Sequence, residues 1–161
     1  MRIKAHTLLV IADGQSAVFF RNDGINGQIR LAEVRKFSAK TLASHEIGRG
    51  RPGRAHDSFS SSRSAYEQND PHEQSELNFL SAVAGSIEEE LKIRPYQDLV
   101  LIAPPTALGS LRNAISRAVR AKVSAEIHKD FTNTPAPDLE NILRQIQGST
   151  PKGALFHFGT Q

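Results

Sequence analysis

Arg49, Arg51, Arg54 and Arg63 lie within Gly48 to Ser64, GRGRPGRAHDSFSSSRS, with only Asp57 against them. Arginine presents a planar fork of donors that matches phosphate and stays charged at any cellular pH. Interleaved glycines let the backbone approach a ligand closely. His45 and His56 lie in or near the same stretch and add hydrogen-bonding groups. The chemistry this set offers is phosphate binding, with Phe59 and Tyr66 as thin stacking surfaces for bases. A second reading of the same residues is a solvated spacer whose charge only keeps it soluble. The stretch has no GxxxxGK[ST] phosphate cradle. Its serines have no activating base nearby, so no nucleophile is assigned.

Other reactive residue types are scattered. Asp13 ends the first apolar run, Asp98 begins a later one, and Glu76 falls on a helix surface. A two-metal nuclease needs carboxylates that converge, and these three are not expected to. Asp13-Gly14 reads as a turn pair. His6, His45, His56, His72, His128 and His157 include no pair at helical zinc spacing, and there is no cysteine. No catalytic residue, metal ligand or cofactor is assigned.

The elements that would hold the basic stretch are clearer. Thr7 to Ala12, TLLVIA, is a continuous apolar run of the kind buried on both faces. Ser16 to Phe20 reads as a second strand and Gln28 to Phe37 as an exposed third, joined by Asn-Asp-Gly and Asn-Gly turn signals. After the basic stretch, Asp70, Pro71 and Glu73 form a helix start. Leu77, Leu80, Ala84, Ile87 and Leu91 make its apolar stripe, and Pro95 stops it. Asp98 to Ala103 is a second buried strand. Leu108, Leu111, Ile115 and Val119 predict one amphipathic helix with Arg112, Arg117 and Arg120 on its polar side. Val123 to Ile127 is a short strand. A last helix starts at Thr134-Pro135, carries Leu139, Ile142, Leu143 and Ile146, and ends at Gly148.

The order β-β-β-α-β-α-β-α predicts an α/β, ribonuclease H-like mixed sheet with helices on both faces. Strands one to three are expected antiparallel, and four and five parallel to the first. Residues 1–148 are read as one domain interrupted by a long basic loop at 38–69. Residues 149–161 are a tail without periodicity.

The chain has 161 residues, net charge +3 and 39% hydrophobic residues, which suits one globular domain that permits anionic partners without requiring them. The apolar run near the N-terminus breaks at Asp13-Gly14, too early for a signal-peptide core. No apolar stretch reaches the length of a membrane span. A cytoplasmic location is expected.

Five segments in order carry a family resemblance: VIADGQSAVFFRN, GRGRPGRAHDS, NDPHEQSELNFL, DLVLIAPPTALGSLR and AEIHKDFTNTP. Over residues about 7 to 147 the chain resembles the bacterial host-attachment protein family, whose members are described as required for attachment to host cells. That family is distantly related to the central domain of archaeal and eukaryotic peptide-chain release factors. Those factors carry a Gly-Gly-Gln loop between a strand and a long helix, at the place of the basic stretch here. This chain has no Gly-Gly-Gln. The resemblance therefore implies RNA or ribosome binding by Arg49, Arg51, Arg54, Arg63, His45 and His56 rather than peptidyl-tRNA hydrolysis. The competing functions are a surface-associated attachment factor and a small hydrolase or nuclease.

Overall fold

The apolar run at Thr7–Ala12 forms β1, and every residue of it is buried. In this computed structural model, residues 2–42 and 70–148 are described, together with the backbone of 156–157. β1 is flanked on one side by β2 (Ser16–Asn22), antiparallel, and on the other by β4 (Asp98–Ile102), parallel. β3 (Leu31–Ser38) pairs antiparallel with β2, and β5 (Val123–Ile127) parallel with β4. Phe156–His157 adds β6, antiparallel to β5. The sheet order is β3-β2-β1-β4-β5-β6. The strand directions expected from the sequence are therefore found. β6 is an addition, because two residues are too few to leave a readable pattern in the tail.

Alternate residues of the central strands feed two cores, as side-chain alternation dictates. Leu8, Val10, Phe19, Leu99 and Leu101 face α1 (Pro71–Ile93), α2 (Pro105–Ala114) and α3 (Arg117–Arg120). Leu9, Ile11, Phe20, Val100 and Ile102 face α4 (Ala136–Gly148) through Leu139 and Leu143. Helices thus cover both faces. Each fully buried leucine, isoleucine or valine in β1 and β4 stabilises the sheet by about 1.5–3 kcal/mol.

The helix start at Asp70 is realised: its carboxylate accepts from the His72 N–H at 3.2 Å, and Pro71 occupies the first turn. The apolar stripe is corrected. Phe79, Leu80, Val83, Ala84, Ile87 and Glu90 are buried, whereas Leu77 is 39% exposed. Phe79 wins the position because its ring packs edge-on against Phe37 at 6.0 Å, and Phe37 in turn against Phe19 at 5.6 Å.

The predicted helix through Ile115 and Val119 is two helices. Ile115 is extended, with ψ 150°, and Ser116 starts a new turn by accepting the Val119 N–H at 3.2 Å. A serine that can cap competes with continued helix. The third strand begins at Leu31 rather than Gln28. Its imperfect alternation has a cause: Phe19 faces Arg35 and Phe20 faces Glu33, leaving Val34 as a bulge. Two smaller boundaries also move. The last helix starts at Ala136, and the Thr134 N–H goes to the Phe131 carbonyl. Residues 39–42, expected in the long loop, are helical, and Ser38 closes β3.

Candidate functional site

Parallel strands in an open α/β sheet leave a crevice beyond their carboxyl ends. Here β1 and β4 are such a pair, and the turn Asp13-Gly14-Gln15 lies at their end. One Asp13 carboxylate oxygen accepts the N–H groups of Gln15 and Ser16, each at 2.7 Å. The other accepts the Thr132 hydroxyl at 3.1 Å. Asp13 is thus a clamp between the β1–β2 turn and the segment after β5, in keeping with its reading as a turn residue.

Glu76 projects from α1 onto Gly14. A side chain at Gly14 would meet the Glu76 carboxyl carbon at 2.5 Å, so glycine here admits the glutamate. The Glu76 side chain makes no hydrogen bond or ion pair among the described residues. Asp98 lies at the other end of the sheet, opposite Thr7, and pairs with Lys4 at 3.4 Å. The three carboxylates singled out in the sequence therefore do not converge, but Asp13 and Glu76 share one end of the sheet. Among the described residues no three His, Asp or Glu side chains form a metal-sized group.

Glu76 separates two open clefts. One, of about 200 Å³, lies between Glu73, Leu77, Pro104 and Thr106. The other, of about 260 Å³, lies between Gln15, Ser38, Lys40, His72 and Ser75. The second carries the positional information. Lys40 belongs to the chain leaving β3 and His72 to the first turn of α1. The segment between β3 and α1 is therefore rooted on both sides at this cleft. His45, Arg49, Arg51, Arg54, His56 and Arg63 lie in that segment and outside the described residues. The structure describes the place they are tethered to.

Sequence reading missed the contact of Glu76 with Gly14, and also His128, whose Nε2 is shielded from solvent without a hydrogen-bond partner among the described residues. It missed the buried charge at the other end of α1 as well. Glu90 is 3% exposed; it accepts the Tyr96 hydroxyl at 2.8 Å and lies within 3.7 Å of Arg35 and 3.6 Å of Arg94. Burial, joined by that hydrogen bond, pushes the Tyr96 hydroxyl up to about 12. The signal for Glu90 was present: it falls on the same helix face as Val83 and Ile87. In the run Glu88-Glu89-Glu90, residue type alone does not distinguish the inward one.

The described residues hold a clamped turn and two clefts that share Gly14 and Glu76. Among the described residues, none of the cleft-lining hydroxyls of Ser38, Ser75, Thr106 and Ser110 hydrogen-bonds to a histidine or carboxylate. The arrangement suits ligand binding. No helix among the described residues is long and apolar enough to cross a membrane. No curated protein matches the chain significantly. The family model for the bacterial archaeo-eukaryotic release factor family 12 matches residues 6–143, from just before β1 into α4. The chain belongs to that family.

Proposed function

We propose that this protein is a non-catalytic, cytoplasmic accessory factor that binds ribosomal RNA through the basic segment between β3 and α1. The observation that carries the reading is the position of that segment. Its two ends, near Lys40 and His72, meet at one cleft at the carboxyl end of β1. Release-factor relatives carry their working loop between a strand and a long helix, and α1, at 23 residues, is the longest described helix. Family membership supports the ribosome as the place of action.

Strand order β3-β2-β1-β4-β5, with helices on both faces, supports a ribonuclease H-like scaffold for that loop. Arg49, Arg51, Arg54 and Arg63 supply the phosphate donors, with His45 and His56 beside them. The non-catalytic assignment is supported by Asp13, whose two oxygens are taken up in holding turns together. It is supported too by the lack of Gly-Gly-Gln in the sequence. The role in host attachment described for the resembling family is then indirect, through translation of surface components. Cosedimentation with ribosomes tests the reading: wild type should pellet with ribosomes and the Arg51→Ala/Arg54→Ala variant should be depleted. Equal recovery of both folded proteins contradicts it.

A further inference from the structure

The amino ends of the parallel strands carry a second cluster of cations, unrelated to the basic segment. Three stretches meet there. The His6 carbonyl, before β1, accepts the Gln97 N–H at 3.1 Å, and the Lys122 carbonyl, before β5, accepts the Leu99 N–H at 2.8 Å. The Lys122 ammonium also reaches the Tyr96 carbonyl at 3.3 Å. α1 ends at this same edge with Lys92, Ile93 and Arg94, and α3 lies beside it with Arg117 and Arg120. The break at Ile115–Ser116 is what delivers the last two here, since a continuous helix would carry them off in another direction.

The charge balance of this edge is one-sided. Among the described residues, Lys4, Lys92, Arg94, Arg117, Arg120 and Lys122 stand against Asp98, which pairs with Lys4. Arg21 and Asp23 cancel each other through hydrogen bonds of 2.6 and 2.9 Å, and that partnership holds the Asp23 carboxyl below the usual carboxylate range. One turn back on α1, Glu89 is engaged by Arg35, and the buried Glu90 accepts from Tyr96. Glu88 is the remaining acid nearby.

Local structure explains some of these cations and not others. Lys92 in the last turn of α1 suits the helix dipole, and Arg94 braces Glu90. Arg120 donates to the Arg112 carbonyl. Arg117 is different. It is exposed, and its guanidinium makes no hydrogen bond or ion pair among the described residues. Ile93, 63% exposed, sets an apolar spot between Lys92 and Arg94.

We propose that this amino-end face is a second RNA contact, in which Lys92, Arg94, Arg117, Arg120 and Lys122 track phosphates. It rests on the reading that RNA is the ligand and not on the basic segment being the contact. The amino-end face and the cleft between Lys40 and His72 lie at opposite ends of a six-residue strand, about 20 Å apart at about 3.3 Å per residue. A folded RNA or two neighbouring strands can span that distance, and one phosphate cannot. The protein would then brace an RNA at two points instead of touching it with a loop alone.

The test uses the full chain with poly(U) as probe. Lys92→Ala/Arg117→Ala removes two cations whose side chains make no hydrogen bond or ion pair among the described residues. It should flatten the slope of log affinity against log salt by about 1.4, at about 0.7 per single-strand phosphate contact. Combined with Arg51→Ala/Arg54→Ala, the losses should add, as they do for separated sites. Poly-glutamate at matched charge should compete poorly. An unchanged slope in the folded Lys92→Ala/Arg117→Ala variant overturns the inference, and so does equal competition by poly-glutamate. If the Arg51→Ala/Arg54→Ala slope alone is unchanged, the basic segment is not the contact and the amino-end face stands.

Discussion

The two ends of the sheet are built from the same strands and carry opposite character. At the carboxyl end, Asp13, Asp70, Glu73, Glu76 and Asp130 outnumber Lys40 and Lys129, and the surface opens into clefts. At the amino end, cations prevail among the described residues, and the buried acid Glu90 is covered by Tyr96, Arg35 and Arg94. Under the proposed reading, one fold separates two jobs. The described residues of the carboxyl end are mostly acidic, so in that reading a phosphate ligand there needs the arginines of the basic segment. In the same reading the amino end needs no added segment.

Large effects are expected at the buried acid and in the core. Glu90→Ala should cost about 3 kcal/mol in urea unfolding, because the Tyr96 hydroxyl and two arginines lose their partner while water still reaches the arginines. A loss under about 1 kcal/mol would mean that Glu90 is no more central than the carboxyl-end acids. Leu80→Ala, on the helix face both ends share, should cost about 2–5 kcal/mol. Asp13→Ala should cost less, about 1–2 kcal/mol, since its hydrogen bonds are only partly buried.

Tyr96 sharpens the comparison through pH. Its hydroxyl is raised from an ordinary value near 10 to about 12. The unfolded chain therefore releases the proton first, and the stabilisation is complete below pH 10 and lost as pH rises towards 12. Unfolding free energy should fall across that window in wild type, and the slope should shrink in Tyr96→Phe. A tyrosinate absorbance titration checks the same point. The smallest effect is expected at the cleft: Glu76→Gln should change stability by less than about 0.5 kcal/mol, because the half-buried Glu76 side chain has no partner among the described residues.

The sequence made the sheet legible because TLLVIA and DLVLIA are continuous apolar runs, and only strands covered on both faces tolerate that. The start of α1 was legible from Asp70 and Pro71, whose effects are local. What escaped was set by tertiary contact. Leu77 and Phe79 are equally apolar, and only the ring of Phe37 decides which turns inward. The bulge at Val34 is invisible until β2 lies beside it. The break at Ser116 competes with an intact helical period. The tether point of the basic segment came from the fold as well, since nothing in the sequence brings Lys40 and His72 to Gly14. The acidic and basic ends were equally hidden, because charge segregation depends on where each helix terminates.

The most direct test of RNA binding by the basic segment is the salt dependence of poly(U) affinity in wild type and Arg51→Ala/Arg54→Ala. The two arginines should account for about 1.4 units of the slope, so the variant should bind more weakly and with a flatter line. Parallel lines for two folded proteins, or no salt-dependent binding by wild type, would contradict the account.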